Sequence, residues 1–135
     1  MTTMTEQKAS VFRLPIRVYY EDTDAGGVVY HSTYLNFMER ARTEWMLARN
    51  INLNTYAATE HKMFVVKSIE VDYKQPAHLC DDLVVESSIE KLTATRVYFK
   101  QQIFRGEMLL TSARVQLVCL DTDSRRPIPL PPIFS

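Results

Sequence analysis

The sequence predicts an α+β fold in which a five-stranded antiparallel sheet wraps around one long helix. One stretch, from Thr33 to about Asn50, repeats apolar side chains at helical spacing. Most of the remaining chain alternates apolar and polar residues, as strands do, and only short turns separate the later segments. Short turns join antiparallel neighbours. Because one helix cannot cover both faces of such a sheet, the sheet must curve around it.

The long helical segment is amphipathic. Leu35, Met38, Arg42 and Trp45 mark one stripe, with Phe37, Ala41 and Ala48 beside it. Ser32 or Thr33 is suited to cap its N-terminus, and Asn50 is suited to end it. A second, short helix is predicted from Leu53 to Glu60.

Five segments have strand patterning. They begin near Val11, Met63, Leu83, Val97 and Leu109. In the second of them, Met63, Val65, Lys67, Ile69, Val71 and Tyr73 are predicted to share one face. The C-terminal residues 125–135 are rich in proline, which lacks a backbone N–H, and are predicted to form an extended tail on the surface. Residues 1–10 are predicted to be flexible, and residues 1–135 to form a single domain.

Composition narrows the classes of function. Lys plus Arg and Asp plus Glu each number 16 in the 135 residues, so the formal net charge is zero. A neutral chain has no general attraction to nucleic acid or to anionic membranes, and a phosphate-bearing ligand needs a local basic cluster. The two cysteines, Cys80 and Cys119, are too few for a disulfide framework or a four-cysteine zinc site.

The N-terminal residues lack the apolar core of a secretory signal. No apolar run approaches the roughly 20 residues that span a bilayer. The sequence therefore predicts a cytoplasmic protein without a transmembrane segment, and leaves open a peripheral location at the inner membrane.

The segment from Tyr20 to Tyr34 carries the chemistry. It places Asp22, Asp24 and a Gly26-Gly27 pair just ahead of the long helix. Glycine permits positive φ and close approach of a ligand, and a helix start offers unpaired N–H groups that can stabilise an oxyanion. A carboxylate beside such donors can attack a carbonyl or activate a water. One loop can thus supply both halves of an acyl-transfer site.

The same segment has other interpretations. Asp and Gly are common in purely structural loops between a strand and a helix. Asp22, Asp24 and His31 are acceptable ligands for a divalent metal. An Asp-Thr-Asp sequence is also found at the nucleophile of aspartyl phosphatases, but that chemistry usually stands on a parallel α/β sheet. No phosphate-binding or dinucleotide-binding glycine fingerprint is present.

Tyr-Glu-Asp-Thr-Asp-Ala-Gly-Gly-Val-Val-Tyr-His-Ser-Thr-Tyr, followed by residues 37–44, resembles the hot-dog acyl-CoA thioesterases associated with the Tol–Pal system, which are relatives of the 4-hydroxybenzoyl-CoA thioesterases. The resemblance extends from Phe12 to about Pro132 and includes residues 64–66 and 72–77. It implies a hot-dog fold and hydrolysis of acyl-CoA to a free acid and coenzyme A.

The resemblance also implies roles for individual residues. Asp24 matches the catalytic carboxylate, acting as nucleophile or general base. The backbone N–H of His31 matches the oxyanion donor at the helix start, and its imidazole can orient water or substrate. Tyr30 is expected to line the thioester pocket, and Asp22 to hydrogen-bond within the loop.

Coenzyme A needs cations for its phosphates. In the benzoyl-CoA branch a basic run occupies the turn between the third and fourth strands, where this chain retains Lys91 and Arg96. Arg125 and Arg126 form a second candidate cluster. The alternative for all four residues is a solvated surface charge.

The resemblance implies a site between subunits, in a dimer or a homotetramer built as a dimer of dimers. No metal or other cofactor is implied, because coenzyme A enters with the substrate; acyl carrier protein is a candidate partner. The rival interpretations are a non-catalytic hot-dog module that binds acyl chains or proteins, and a dehydratase. Glu39 and Glu44 could replace Asp24 in a branch that uses a helix carboxylate, but a polar helix face explains them equally.

Overall fold

Five strands form one antiparallel sheet, and a long helix packs on one of its faces. The computed structural model describes residues 10–134. The strands are β1 (Phe12–Arg17), β2 (Lys62–Tyr73), β3 (Asp82–Leu92), β4 (Arg96–Arg105) and β5 (Met108–Asp121), and the helices are α1 (His31–Leu47) and α2 (Leu53–Glu60). The strand order is β1-β3-β4-β5-β2, and every neighbouring pair is antiparallel. The α+β prediction and all five strands are confirmed.

The long helix begins and ends earlier than predicted. Tyr30 occupies the cap position without a side-chain hydrogen bond, so neither Ser32 nor Thr33 is the cap. The Thr33 N–H donates to the Tyr30 carbonyl at 3.0 Å, which starts the helical turn two residues before the predicted position. The helix ends at Leu47, and Asn50 follows in a turn with a positive φ of 63°. The predicted second helix is confirmed with its bounds.

The predicted faces of the second strand are wrong for its first half. The register of β2 against β5 shifts between Val66 and Ser68, which indicates a bulge around Lys67. Before the bulge, Phe64 and Val66 lie opposite Cys119 and Leu117, which are both buried; after it, the inner positions are Ile69, Val71 and Tyr73. One extra residue therefore exchanges the two faces, which simple alternation cannot reveal.

The core between helix and sheet consists of two clusters. The first lies beneath the N-terminal half of α1 and contains Val18, Val29, Tyr34, Phe37, Met38, Ala41, Ala77, Leu83, Val85, Ile103, Leu110 and Ala113. The second lies beneath its C-terminal end and contains Trp45, Met46, Ile51, Ile89, Val97, Phe99, Val115, Leu117 and Phe134. Both are predominantly apolar, so burial of these side chains is the main stabilising term.

A polar network also lies in the interior. Arg42 of α1 is 7% exposed and donates from Nη1 to Oε1 of Gln101 at 2.9 Å. Gln101 in turn donates to the Met38 carbonyl at 3.0 Å and to Oγ of Ser87 at 2.9 Å. Burial lowers the pKa of Arg42. The network links α1 to β3 and β4 with specific partners, where an unpaired polar group would be destabilising.

The proline-rich tail is not confined to the surface. Phe134 is 5% exposed and stacks on Trp45, with ring centroids 5.4 Å apart and planes at 18°. Between the prolines, the N–H groups of Ile128 and Leu130 donate to the carbonyls of Cys119 and Ala94. The expectation of a surface tail fails because the non-proline residues supply both donors and apolar side chains. The predicted flexibility of the N-terminus concerns residues 1–9, which lie outside the described residues, and Ser10.

Neither α1 nor α2, the two helices of the described chain, is long and apolar enough to cross a membrane.

Candidate active site

The acidic loop is a small hairpin that ends at the start of α1. Thr23 and Val29 form an antiparallel bridge, and the Tyr30 N–H donates to the Asp22 carbonyl at 3.1 Å. Gly27 has a φ of +77°, so the tip of the hairpin uses a conformation that glycine adopts at little energetic cost. The hairpin therefore returns the chain to the level of Asp22 just before the helix begins, so Asp22 and the helix start are neighbours, and Asp24 lies on the hairpin that joins them.

Asp24 is exposed and has one carboxylate oxygen engaged in the loop. Its Oδ1 accepts from the N–H groups of Gly26 at 2.8 Å and Val28 at 3.3 Å. Among residues 10–134, no hydrogen bond is formed to Oδ2. A Cβ on Gly26 would lie 3.3 Å from Oδ1, so the loop fits closely around this carboxylate. One oxygen is held by the backbone, and the other is available for chemistry.

Asp22 has the opposite environment. It is 5% exposed, and its Oδ2 accepts from the Tyr19 N–H at 2.9 Å. The carboxylate thus stabilises the short 3₁₀ turn Tyr20–Asp22 at the entry to the loop. The geometry agrees with the structural role expected for Asp22.

The first turn of α1 offers backbone donors beside this loop. The first N–H groups of a helix have no intrahelical acceptor. Within the described chain, the N–H groups of His31 and Ser32 donate no hydrogen bond, whereas the N–H of Thr33 donates to Tyr30. The helix dipole adds a partial positive charge at the same position. Two unpaired donors here can stabilise an oxyanion.

A pair of tyrosines for which no role was predicted, Tyr34 and Tyr73, supports the helix start. Tyr73, the last residue of β2, stacks on His31 with ring centroids 4.5 Å apart, and its hydroxyl donates to the His31 carbonyl at 3.1 Å. Tyr34 lies edge-on to Tyr73, and its hydroxyl accepts from the Ala77 N–H at 2.8 Å. Residues 72–77 formed part of the family resemblance, and this motif could have indicated that Tyr73 belongs to the site.

A cavity of about 170 Å³ adjoins this end of the helix. Its walls are Val28, Val29, His31, Tyr34, Tyr73, Lys74, Gln75 and Pro76. Tyr30, expected to line the pocket, is 48% exposed and does not contribute to these walls. Its side chain lies on the surface of the isolated chain.

The metal interpretation gains no support from the arrangement. Among residues 10–134, no three His, Cys, Asp or Glu side chains gather as a candidate ligand set. The Asp22 carboxylate is occupied by the backbone, and the imidazole of His31 stacks on Tyr73.

The four predicted phosphate-binding residues lie at the other end of the sheet. Lys91 is exposed near the end of β3, and Arg96, half-buried, starts β4. Arg125 and Arg126 are exposed in the turn after β5. Arg96 is opposite Val118 and Tyr73 is opposite Thr111, so the two ends differ by seven residues along β5. At ~3.4 Å per residue this is a separation of about 24 Å.

Strand β2 is an edge of the sheet along its whole length. It pairs with β5 on one side only, and Val66 near its middle is 46% exposed. An exposed edge presents a row of unpaired backbone groups that can pair with another strand. If two copies pair antiparallel through β2, the Lys62 end of one strand lies beside the Tyr73 end of the other.

The chain has close relatives in sequence. Residues 18–135 match the model of the thioesterase-like superfamily. The acyl-CoA thioesterase YbgC of Haemophilus influenzae is 42% identical over 120 residues, which cover 89% of this chain and 88% of that protein. The acyl-CoA thioester hydrolase YbgC of Escherichia coli O6:H1 is 44% identical over 123 residues, covering 90% and 91%.

The fold also matches solved structures. A probable thioesterase from Bartonella henselae superposes with a TM-score of 0.85 at 33% identity, covering 90% of this chain and all of that one. Together with the strand order, this agreement confirms the predicted hot-dog fold.

Proposed function

We propose that this chain, which belongs to the thioesterase-like superfamily, is an acyl-CoA thioesterase with Asp24 as its catalytic carboxylate and the first turn of α1 as its oxyanion site. The observation that carries the proposal is the hairpin, which bears a carboxylate with one free oxygen and leads directly into a helix start with two unpaired N–H groups. The sequence relatives named as acyl-CoA thioesterases support the same reaction.

Asp24 can act in two ways, and both begin at the thioester carbonyl carbon. As a nucleophile, its free oxygen forms a mixed anhydride and expels the thiolate of coenzyme A, and water then hydrolyses the anhydride. As a general base, it takes a proton from water, the resulting hydroxide attacks the carbon, and the carbon–sulfur bond breaks. In either route the carbonyl oxygen becomes negative and is stabilised by the N–H groups of His31 and Ser32. Neither route requires a metal or a further cofactor.

We place the complete site between two subunits. In one chain the acidic loop and the four basic residues lie at opposite ends of the sheet. One subunit alone therefore does not offer the carboxylate and the phosphate-binding cations side by side. Antiparallel pairing of two β2 edges brings the basic end of one subunit towards the catalytic end of the other. Lys91, Arg96, Arg125 and Arg126 of one subunit would then hold coenzyme A phosphates whose thioester reaches Asp24 of its partner. Two such dimers would form the expected homotetramer.

The cellular context extends the proposal. A cytoplasmic position was predicted from the sequence itself, which left a peripheral location at the inner membrane open. The link to Tol–Pal and acyl carrier protein as an alternative donor follow from the family resemblance. A neutral net charge offers no general electrostatic attraction to the membrane, so contact there would depend on a local basic or apolar surface or on a protein partner.

The test is thiol release from acyl-CoAs of increasing chain length, comparing wild type with Asp24→Asn. The amide keeps an oxygen that can accept from Gly26 and Val28, so the hairpin is preserved, but it cannot attack or take up a proton. We expect kcat to fall by about three orders of magnitude, on the scale of losing a central catalytic group.

Asp121→Asn is the matched control. Oδ1 of Asp121 accepts from the N–H groups of Asp123 and Ser124 in a similar turn at the far end of the sheet. Its turn also carries Arg125 and Arg126, so the expected match to wild type is in kcat at saturating acyl-CoA. Near-normal turnover by Asp24→Asn would reject the assignment, and no turnover by wild type on coenzyme A or acyl-carrier-protein thioesters would favour the binding-module interpretation.

A further inference from the structure

We propose that Tyr73 is a positioning residue of the acyl-transfer site, which holds and polarises the first turn of α1 from the edge strand β2. The inference rests on the proposed function, because it assigns the support of the donors that would stabilise the oxyanion. Tyr73 touches His31 and neighbouring protein groups, so its role is exerted through the helix start.

Two contacts join this side chain to one residue. The Tyr73 hydroxyl donates to the His31 carbonyl at 3.1 Å, and the two rings stack with planes at 29° and centroids 4.5 Å apart. The hydrogen bond fixes the backbone of the first helical turn, and the stack fixes the imidazole. Partial burial raises the pKa of Tyr73, so the hydroxyl remains a donor throughout the neutral pH range.

Tyr73 is itself held in place. Tyr34, three residues further along α1, packs against it with ring centroids 5.5 Å apart and planes at 63°. The Tyr34 hydroxyl accepts from Ala77, whose carbonyl accepts from the Val29 N–H at 3.0 Å. The acidic loop, the helix start and the segment after β2 are therefore joined by hydrogen bonds and ring contacts.

The hydrogen bond also has an electronic consequence. A peptide group whose carbonyl accepts a hydrogen bond becomes a better N–H donor. The His31 carbonyl belongs to the same peptide group as the Ser32 N–H, and it accepts from Tyr73. The Tyr30 carbonyl belongs to the peptide group of the His31 N–H, and it accepts from Thr33. Both candidate oxyanion donors thus lie on polarised peptide groups, and Tyr73 adds to the polarisation of one of them.

The substitution Tyr73→Phe removes the hydroxyl and keeps both ring contacts. Losing a direct oxyanion donor lowers kcat by roughly 100-fold or more, so loss of an indirect support should lower it by about 5- to 20-fold. KM should stay within about twofold, because the donors strengthen their bond mainly in the transition state. Tyr98→Phe is the matched control, since that hydroxyl accepts from Nε2 of Gln116 at 3.1 Å and should leave kcat unchanged.

A second measurement separates positioning from folding. The carbonyl stretching frequency of a thioester bound to Asp24→Asn reports how strongly the carbonyl is polarised, and Tyr73→Phe in that background should shift it towards the value in water. A wild-type kcat in Tyr73→Phe would overturn the inference. So would a lowered kcat that comes with an unchanged carbonyl frequency and a lowered midpoint of unfolding. In both cases the dependence of turnover on Asp24 would be unaffected. Absence of turnover by wild type would instead overturn the proposed function.

Discussion

The two ends of the sheet use similar turns for different purposes. At one end, Oδ1 of Asp24 accepts from two N–H groups of its own loop; at the other, Oδ1 of Asp121 does the same. The hairpin that carries Asp24 leads into a helix start with unpaired donors, and a small cavity adjoins that helix start. Beyond Asp121 the chain turns into the tail that covers Trp45. An aspartate turn becomes a candidate active site only where free donors adjoin it.

The contrast extends to the interior. Beneath the acidic loop, tyrosines and backbone groups are joined by hydrogen bonds that leave an exposed surface for a ligand. Beneath the tail, Trp45 packs between Phe99 and Phe134, with ring centroids 5.4 Å from each. We infer that substitutions near the tail mainly lower the free energy of unfolding. Substitutions near the acidic loop should mainly lower kcat.

The largest expected stability change comes from Phe134→Ala. Removing a buried aromatic ring leaves a cavity, and such changes lower the free energy of unfolding by about 3 kcal/mol. Urea unfolding measures this loss, while kcat of the remaining folded protein should stay within about twofold. Phe134→Leu, which retains more of the buried volume, is the graded control. A marked fall in the kcat of the folded protein would contradict the inferred difference between the two ends of the sheet.

A smaller change is expected at the centre, from Gln101→Met. The substitution conserves volume roughly but leaves the guanidinium of Arg42 and the hydroxyl of Ser87 without this partner. Leaving buried polar groups unpaired should lower the free energy of unfolding by about 2 kcal/mol. Gln102→Met, on the adjacent and partly exposed position of β4, should change it by less than about 0.5 kcal/mol. Equal unfolding midpoints for both variants would contradict the account of the network.

The smallest and most pH-dependent effect is expected from Asp81→Asn at the loop end. Burial alone raises the pKa of Asp81, but the His78 N–H and the guanidinium of Arg105, each 2.9 Å from Oδ2, outweigh it and lower the pKa below its ordinary value of 3.8. A lowered pKa stabilises the fold fully above the unfolded-state value, and this stabilisation disappears as pH falls through the folded-state pKa. The free energies of unfolding of wild type and Asp81→Asn should differ by about 1 kcal/mol or less at pH 7.

Urea unfolding at pH 7 and at pH 3 measures that dependence. The difference in free energy of unfolding between wild type and Asp81→Asn should be smaller at pH 3 than at pH 7. A difference that grows as pH falls would have the wrong sign and would exclude this carboxylate as the cause.

Much of this could be predicted from the sequence, because periodicity reports burial directly. The strand alternation, the amphipathic stretch and the second helix all appear in the structure. The bulge around Lys67 could not be predicted, because one inserted residue leaves the composition unchanged while it exchanges the faces. Burial of Phe134 was missed because proline content describes the backbone of the tail and gives no information on its apolar side chains.

The site was predicted unevenly for a similar reason. The loop motif is contiguous, so Asp22 and Asp24 were found with their different environments. Tyr73 lies 42 residues from His31 along the chain, and only the fold joins them. Lys91 and Arg96 were identified through the family resemblance, by their place between the third and fourth strands, and Arg125 and Arg126 by their charge. Neither signal indicates how far these residues lie from the acidic loop.

The proposed division of one site between two subunits puts the carboxylate on one subunit and the phosphate-binding cations on the other. Its most direct test is to mix Asp24→Asn with the double variant Arg125→Ala and Arg126→Ala, after unfolding and joint refolding, and to measure thiol release at low acyl-CoA concentration. A hybrid dimer would contain one site with an intact carboxylate and intact arginines, so activity should rise to about a quarter of wild type. Hybrids detected by mass spectrometry, with activity no higher than the mean of the two separate variants, would contradict the claim.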